Sequence, residues 1–557
     1  MGNSAVKTSF AATFAAALIG SAFAAGPWAV PKKKIIAAGW EFGSVATPEQ
    51  MLEHADLLDK TGLDGIVVGL PYEKCADGKF HKLGWETMSS DFITEEVLGK
   101  YVPVYKKLTS GHKAFADSFL ACNWCPISAK RFKWDDDAAW AKFAANMKVI
   151  ASVARRGGFV GVVGDGEDYG GKYQFFLRAD EAPFDVTGPL ARERGRQIGR
   201  AMFGEFPNMK LLSFWFLSLE QSYARATDAA EAMRGRGDLW PMFINGILDV
   251  MPPEVEFIDG NEHAYGYKSG RRDFDASNVR QLTRALALVA PENRAKYRTQ
   301  MRVGFGLYLD SYVGKWDGKP HQPHLGTDGT PLGGLRACLE EAAYASDEYV
   351  WFWGERQRWI KWHGLKPPFP FMKIGAETWE EKLPGLTKAI LETKDPKAEI
   401  AARLAEFRAA GAENLLAAAL ERKNANWQEK NSHGTFTTEP GKGTDGGPLL
   451  VAEGVSGGCF EPDATGLKKG DVLYGEAYVR GKGADCVLMH WRKNGAWASA
   501  VECAVEAFGE PDADGWRRVI VRTPPAPEGM TGVGFKIILK QKPGERVEVD
   551  RAALFRK

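Results

Sequence analysis

Short apolar runs alternate with amphipathic segments from Lys34 to about Gly364. Runs rich in β-branched and aromatic residues indicate buried strands, and eight segments qualify: Ile35–Phe42, Gly65–Leu70, Ala114–Cys122, Phe159–Asp165, Met209–Ser218, Val255–Asp259, Met301–Asp310 and Glu348–Trp353. Between them, apolar residues recur at helical spacing, most clearly in Pro48–Lys60, Ala138–Arg155, Leu190–Met202, Ala276–Val289 and Gly334–Ala345. Thr47 suits the N-cap of the first of these helices, and Pro48 suits its first turn.

Eight strand-then-helix units predict a TIM (β/α)₈ barrel over residues 25–370, within an α/β fold class. An open doubly wound sheet is the alternative architecture. Its glycine-rich phosphate loop is missing, because the segment Gly164–Tyr169 ends in Tyr and its three acidic residues would repel a pyrophosphate.

The character of the chain changes after the barrel. Residues 371–412 are charged with helical spacing, which predicts a helical linker. Residues 413–557 carry short alternating runs without a convincing intervening helix beyond Ala417–Arg422, which predicts an all-β sandwich: Leu449–Ala452, Val472–Val479, Cys486–Trp491, Trp516–Val521, Val533–Leu539 and Val547–Leu554.

The C-terminal segment also carries a recognisable set of residues. It contains Asn414-Leu-Leu, Trp427, the run Gly470–Gly481, Trp516-Arg-Arg-Val and the closing run Val549–Leu554. This pattern resembles the jelly-roll carbohydrate-binding modules attached to secreted polysaccharide-degrading enzymes. The resemblance implies a sugar-binding module, and a stabilising module that binds nothing is the alternative because fold does not fix function.

Composition and charge limit the partners. Seventy-two Lys and Arg stand against 71 Asp and Glu, a net charge of +1, which removes the electrostatic basis for binding nucleic acid. Residues 1–24 read as a signal peptide with an A-x-A cleavage site at Ala22–Ala24, and an uncleaved anchor is the alternative. We therefore expect a secreted or periplasmic protein, bacterial in its type of signal, with no membrane span after signal removal. The oligomeric state stays open.

Seven cysteines form no obvious framework, since an odd number leaves at least one free or intermolecular. The Cys122-Asn-Trp-Cys125 pair lacks a second pair or histidines at zinc spacing, so buried thiols are favoured over a metal or redox site. His321 and His324 form the only close histidine pair. The sequence predicts no metal site and no cofactor, and a metal-dependent hydrolase is kept as the weaker hypothesis.

Candidate chemistry gathers where barrel strands end, because catalytic groups of TIM barrels lie at the C-terminal face. A carboxylate, an aromatic side chain or both end or follow nearly every strand. Aromatic faces stack on the apolar faces of sugar rings, and carboxylates bind hydroxyls. We predict a substrate-binding set of Trp40, Glu41, Trp124, Trp215, Asp259, Tyr265, Trp351, Trp353 and Glu355. Core packing is the alternative for Trp351 and Trp353, which share a face of one strand.

Paired carboxylates suggest the reaction. Glu167 is the predicted proton donor, and Asp165, two residues earlier on the same face of an extended chain, would raise its pKa. Glu262 is the predicted nucleophile or base, with Asp310 as the competing partner. A separation of ~5–5.5 Å between the two carboxyls would imply retention and ~6.5–9.5 Å inversion. A purely structural role in capping a helix or holding a loop is the alternative for the Asp165–Glu167 pair.

The Asp165-x-Glu167 pair on the fourth strand is similar to the end of the chitinase-like signature. The match is partial, because the earlier aspartates of that signature fall at Val160 and Val163, and the N-acetyl-assisted mechanism does not follow. The sequence as a whole looks like an exported TIM-barrel glycoside hydrolase acting on a polysaccharide or oligosaccharide. The alternative from another class is a non-catalytic glycan-binding protein on a barrel scaffold.

Overall fold

The computed structural model describes residues 33–42, 45–127, 130–218, 223, 226–268, 271–316, 319–365, 375–422, 426–494 and 496–557. The predicted signal peptide lies outside the described residues. The chain forms two compact units, residues up to 324 with 335–387, and residues 325–334 with 388–557. Among the described helices, none is both long enough and apolar enough to cross a bilayer.

The first unit is a nearly closed parallel barrel, as predicted. Its strands are β1 (Lys34–Gly39), β2 (Gly65–Gly69), β3 (Phe119–Asn123), β4 (Gly161–Asp165), β5 (Lys210–Ser213), β6 (Glu256–Asp259), β7 (Met301–Val303 and Phe305–Tyr308) and β8 (Tyr349–Gly354). Neighbours along the chain pair in parallel, and β8 pairs with β1. Strand β7 is interrupted at Gly304: its first segment pairs with β6 and its second with β8. The ring therefore closes through a broken strand.

Helices follow the strands as the hydrophobic spacing predicts. The described α-helices of four or more residues are Pro48–Glu53, Ala55–Leu58, Glu95–Gly99, Val102–Gly111, Asp137–Arg156, Phe184–Glu205, Ala229–Arg236, Trp240–Val250, Arg271–Thr283, Arg294–Gln300, Leu309–Tyr312, Pro331–Ala345, Trp379–Lys382, Leu386–Lys394, Pro396–Ala409 and Ala417–Leu420. Thr47 caps the first helix in a capping box with Gln50, and Pro48 occupies its first turn. The predicted helix Pro48–Lys60 is broken at His54 into two short helices and a final 3₁₀ turn.

Four predicted strands are too long. The first was predicted to reach Phe42, but β1 ends at Gly39, and the third was predicted to begin at Ala114, but β3 begins at Phe119 after a 3₁₀ turn at Lys113–Phe115. The fifth was predicted to reach Ser218, but β5 ends at Ser213. Asp259 accepts hydrogen bonds from the backbone N–H groups of Leu217 and Ser218, which draws this segment out of the ladder. The seventh was predicted to reach Asp310, but residues Leu309–Tyr312 turn into a short helix.

The barrel interior is filled around Trp351. Its indole is fully buried, stacks on Phe214 with ring centroids 4.4 Å apart, and donates from Nε1 to the Gly260 carbonyl at 2.8 Å. A Cβ atom at Gly306 would lie 2.5 Å from this indole, so glycine is what makes room for it. Trp351 therefore packs the core instead of offering a face to substrate.

The second unit contains an antiparallel β-sandwich, as predicted. Its strands are β9 (Asn426–Gln428), β10 (Thr435–Glu439), β11 (Leu449–Glu453), β12 (Gly458–Phe460), β13 (Asp463–Thr465), β14 (Leu473–Gly481), β15 (Ala484–Lys493), β16 (Ala496–Ala507), β17 (Trp516–Arg522), β18 (Gly532–Leu539) and β19 (Arg546–Arg556). One sheet runs β9-β12-β18-β15-β16 with β13 beside β18, and the other runs β10-β11-β19-β14-β17. The helix Pro396–Ala409 packs on the second sheet through Leu404, Tyr474 and Phe555.

All seven cysteines are free thiols. Cys122 and Cys125 are buried, as the sequence favoured. The Cys122 Sγ lies 3.7 Å from the Val163 carbonyl, whereas Cys125 Sγ lies 3.1 Å from the Gly166 carbonyl. The two thiols therefore contact different backbone carbonyls of the neighbouring segment.

Replacing Trp351 tests its place in the core. We expect Trp351→Ala to lower the free energy of unfolding of the barrel unit by about 3–5 kcal/mol, because it empties a closed space. Tyr344→Ala, on a side chain that is 65% exposed, is the matched control and should stay within about 0.5 kcal/mol of wild type. Urea unfolding followed by tryptophan fluorescence gives both values, and equal stability of the two variants would contradict the assignment.

Candidate functional site

The end of β4 carries the centre of the site. Asn123 of β3 pairs in register with Asp165, and its Nδ2 donates to Asp165 Oδ2 at 3.3 Å and to the Glu167 carbonyl at 3.2 Å. The Glu167 backbone N–H donates to Asp165 Oδ1 at 2.9 Å. A Cβ at Gly166 would lie 2.7 Å from the Trp240 ring, so the tight turn between the two carboxylates requires glycine. The chain after β4 thus holds Asp165 and Glu167 side by side.

This proximity changes how Asp165 ionises. Burial, and then the negative charge of Glu167, raise the pKa of Asp165 to about 7. Hydrogen bonds from the Glu167 backbone, Asn123 and Tyr169 lower it, but they do not outweigh the burial. A proton therefore stays on Asp165 up to about pH 7, whereas the sequence assigned the raised pKa to Glu167.

Tyr169 joins the two carboxylates. Its hydroxyl hydrogen-bonds with Asp165 and with Glu167, and this end of the side chain is surrounded by protein. Burial, together with the charges of Asp165, Glu167 and Glu262, raises the pKa of Tyr169 well above its ordinary value. The ring itself keeps 46% of its surface exposed and stacks on Trp85, with centroids 6.0 Å apart and planes 7° from parallel.

Strand β6 brings Glu262 to the same place. Its backbone N–H donates to the Phe214 carbonyl at 3.0 Å, and Asn261 before it adopts a left-handed conformation with φ of 41°. Burial, then the charges of Glu262 and Glu167, raise the pKa of Tyr265 well above its ordinary value. Since both glutamates act on Tyr169 and on Tyr265, the structure brings Asp165, Glu167, Glu262 and Tyr265 together.

Glu355 lies beside the same cluster, and Asp310 holds the backbone of Glu355. Glu355 also raises the pKa of Tyr265, accepts from Trp353 Nε1 at 3.3 Å and pairs with Arg356 at 3.4 Å. Asp310 is fully buried and accepts from the Glu355 backbone N–H at 2.8 Å. Burial raises the pKa of Asp310 to about 7. Asp310 is therefore placed to hold the Glu355 loop, and no face of it reaches substrate.

Two other predicted contacts to substrate are loop anchors. Asp259 is fully buried and accepts from the backbone N–H groups of Leu217 and Ser218 and from the Ser218 hydroxyl, and burial raises its pKa. Glu41 is 3% exposed, and its carboxylate accepts from the Trp359 backbone N–H and from Trp362 Nε1. Burial raises the pKa of Glu41 to about 7. Both carboxylates are occupied by the protein itself.

The tryptophans predicted to bind substrate fall into a buried group and a partly exposed group. Trp124, like Trp351, is fully buried: it packs on Trp240 and Phe243 and lies over Gly164, where a Cβ would approach it to 2.2 Å. The partly exposed members are Trp40, Trp215 and Trp353. The Arg356 guanidinium lies over the Trp40 ring, 5.1 Å from its centroid. Only these three tryptophans of the set keep surface for a ligand.

The sequence did not single out Trp85 or Lys82. Lys82 is 6% exposed, its Nζ lies over the Trp85 ring, and burial lowers its pKa to about 6. Lys82 ends the three-residue strand Phe80–Lys82, and Trp85 follows it in an irregular segment, so neither lies in a run long enough to show strand or helical periodicity. Their link to Tyr169 joins positions more than eighty residues apart, and no local pattern encodes it.

Other clusters lie away from this site. Among the described residues, Asp56, Asp59 and His112 form a group whose potential ligand atoms lie within 4.8 Å of one another. They sit at a helix end and just before β3, at the opposite end of the barrel from the carboxylates. A separate cavity of about 20 Å³, lined by Ser218, Ser277, Arg280 and Gln281, has the size of a single water.

Comparisons with known proteins were made with the whole chain. No protein-family model and no curated protein matches it. Solved structures match segments of it. The enzymatically active domain of tailspike protein 4 of bacteriophage CBA120 is 8% identical over 26% of this chain and 21% of its own, with a TM-score of 0.22. The α-L-arabinofuranosidase MgGH51 with bound arabinose is 13% identical over 26% of each chain, with a TM-score of 0.20.

A third solved structure is matched over its whole length. TmCBM61 in complex with β-1,4-galactotriose is 11% identical over 26% of this chain and 100% of its own, with a TM-score of 0.18. These solved neighbours thus include an arabinofuranosidase and a carbohydrate-binding module. This chain spans only about a fifth to a quarter of the first two proteins.

The raised pKa of Asp310 predicts a stability effect with a defined sign. The folded state holds this proton more tightly than the unfolded chain, so its stabilisation is present below about pH 4 and is lost as pH rises through about 7. Asp310→Asn removes the buried charge and keeps an oxygen for the Glu355 N–H. We expect it to gain about 1–3 kcal/mol on wild type between about pH 4 and pH 8, measured by urea unfolding.

Asp249→Asn is the control with the opposite sign. Burial alone would raise the pKa of Asp249, but hydrogen bonds from Arg192, Asn293 and Arg196 lower it. Its stabilisation is therefore present above the unfolded pKa and lost as pH falls, and the variant should lose stability near neutral pH. A pH-independent effect of Asp310→Asn would refute the assignment.

Proposed function

We propose that this protein is an exported glycoside hydrolase that cleaves a glycosidic bond of a polysaccharide or oligosaccharide at the C-terminal end of the barrel. The observation that carries the proposal is the group formed by Asp165, Glu167 and Tyr169, with Glu262 beside it. It combines a proton held near neutral pH with further carboxylates close by, which is what glycosidic cleavage requires.

Glu167 is the proposed proton donor to the leaving oxygen. It shares the hydroxyl of Tyr169 with Asp165, and Asp165 is the member of the pair that stays protonated near neutral pH. Two interacting carboxyls titrate as a pair, so the proton on Asp165 is available to Glu167 through this hydroxyl. When Glu167 gives up its proton, the neighbouring acid and the hydroxyl stabilise the carboxylate that forms.

Glu262 is the proposed nucleophile or base. It comes from β6, whereas Glu167 comes from β4, so the two glutamates reach the site from different strands of the ring. Glu262 would either attack the anomeric carbon or activate a water on the far side of the sugar. The mutual separation of the two carboxyls decides between these outcomes.

The surroundings favour a neutral sugar over other substrates. Glu262 and Glu355, together with the Asp165–Glu167 pair, place negative charge at this end of the barrel, which would repel a phosphate or an acidic polymer. Trp215 and Trp353 leave partly exposed rings at the same end. A non-catalytic glycan-binding protein would need such rings but would not need a buried carboxyl that holds a proton near neutral pH.

The β-sandwich is proposed as a second sugar-binding element that keeps the enzyme on its polysaccharide. Trp427 of β9 is 53% exposed, beside the Cys459 position of β12. An aromatic ring left open on a sheet face is suited to stacking on a sugar ring.

Replacing the proposed acid is the direct test. We expect Glu167→Gln to reduce turnover of soluble polysaccharides and aryl glycosides by about 10²–10⁴-fold, because the amide cannot donate the proton. Binding should survive, since the side chain keeps its size. Reducing-sugar release measures the first quantity and affinity electrophoresis the second.

Glu96→Gln is the control, because Glu96 is exposed on a helix away from the carboxylates. It should match wild type in both assays. If Glu167→Gln retains full turnover, the acid lies elsewhere. If no substrate is turned over by wild type while one polysaccharide retards it, the glycan-binding alternative is correct.

The Tyr169 hydroxyl gives a prediction about pH. Its hydrogen bond lowers the pKa of Asp165, so Tyr169→Phe should let that pair keep its proton to higher pH. We expect the basic limb of the kcat/KM profile to move upward by up to about one pH unit. Tyr173→Phe, on a side chain 61% exposed in the same loop, should leave the limb in place. An unchanged limb in both variants would contradict the proposed role of Tyr169.

A further inference from the structure

Exposed aromatic side chains of the barrel unit are concentrated on one side. Six of its described Phe, Tyr and Trp residues are strongly exposed, and five of them lie in the loops that follow β2 and β4: Tyr72, Phe80, Tyr169, Tyr173 and Phe176. The sixth, Tyr344, is on the helix Pro331–Ala345. Burying such rings is favourable, so their exposure in one region indicates a binding surface.

A short hairpin presents the first two rings. Its strands, Tyr72–Lys74 and Phe80–Lys82, pair Tyr72 with Lys82 and Lys74 with Phe80. Paired residues of an antiparallel ladder point to the same face, so Tyr72, Phe80 and Lys82 share one face. The rings of Tyr72 and Phe80 stack with centroids 5.2 Å apart and planes 20° from parallel.

The other face of this hairpin is tied to the protein. Glu73 pairs with Lys100 at 2.9 Å and accepts from the Tyr101 hydroxyl. His81 Nδ1 lies 2.9 Å from Glu86 Oε2. The hairpin is thus held in place, and the Tyr72–Phe80 stack faces away from its anchors.

Contacts connect this stack to the carboxylates. Lys82, on the face of Tyr72, places its Nζ over Trp85, and Trp85 stacks on Tyr169. The Tyr169 hydroxyl in turn bonds to Asp165 and Glu167. We call Tyr72, Phe80, Trp85 and Tyr169 the aromatic rim. It leads from the solvent-exposed hairpin to the proposed acid.

We propose that the aromatic rim binds consecutive sugars of a neutral polysaccharide, so that the substrate is a polymer that extends from the carboxylates over the β2–β4 side of the barrel. This inference rests on the proposed function. The exposed rings of Tyr72, Phe80 and Tyr169 offer flat apolar faces that match the C–H faces of pyranose rings, and Trp85 supports Tyr169 by stacking on it. The adjacent carboxylates oppose an anionic chain.

The test compares a polymer with a single-sugar substrate. The rim variants are the double variant Tyr72→Ala/Phe80→Ala and, separately, Trp85→Ala, with Tyr344→Ala as the matched exposed-aromatic control. On the neutral polysaccharide that wild type cleaves best, we expect KM to rise about tenfold in the rim variants. On an aryl glycoside of the same sugar, the double variant should stay within about twofold of wild type, because that substrate does not reach the hairpin.

Affinity electrophoresis separates this inference from the proposed function. Gels containing a neutral glucan, xylan, mannan or galactan, and one containing polygalacturonate, report binding without turnover. The inference is supported, even if no bond is cleaved, when a neutral polymer retards the double variant less than wild type and retards Tyr344→Ala as much as wild type. Any retardation that remains in the double variant is ascribed to the β-sandwich. Equal retardation of all variants, retardation by polygalacturonate alone, or no retardation in any gel overturns it. Equal losses on polymer and aryl glycoside also overturn it.

Discussion

A ring of parallel strands forces all of its carboxyl ends to meet at one end of the barrel. Every polar group that follows a strand is therefore brought close to its counterparts and away from solvent. Burial is the largest influence on Glu41, Asp165, Asp259 and Asp310, and it raises the pKa of each. The electrostatics of the candidate site follow from this crowding.

The crowded carboxylates differ in what binds them. Asp259 and Glu41 accept several hydrogen bonds from backbone or indole N–H groups, and these bonds anchor the loops to which the donors belong. Asp310 accepts from the Glu355 backbone in the same manner. Asp165 instead shares a tyrosine hydroxyl with a second carboxylate and remains partly accessible. Asp259, Glu41 and Asp310 thus anchor loops, whereas Asp165 is coupled to a second carboxylate.

The architecture was readable from the sequence because it depends on local patterns. Apolar runs located all eight barrel strands, and the Thr47–Pro48 start of the first helix was confirmed. Errors arose where residues distant in sequence determine the structure. Hydrogen bonds to Asp259 end β5 earlier than predicted. Trp124 and Trp351, predicted to bind substrate, are buried instead, because Gly164 and Gly306 leave space for their rings in the core. The strand Ala496–Ala507 was missed because its run of alanines and glutamates has low strand propensity.

The site was only partly predictable for a related reason. Strand ends indicate which carboxylates gather, so Asp165, Glu167 and Glu262 could be predicted together from the sequence. Which of them are buried, and which are bonded by Tyr169, depends on side chains supplied by other strands and loops. The stacking of Trp85 on Tyr169 joins two loops that share no sequence signal.

The thiols of Cys122 and Cys125 carry a consequence for handling the protein. Both are enclosed next to the acidic cluster, and burial raises the pKa of Cys122 to about 12 and that of Cys125 higher still. Thiolate is the form that reacts with oxidants and alkylating reagents. These two thiols are therefore unreactive while the barrel stays folded, and their labelling reports local opening at strands β3 and β4.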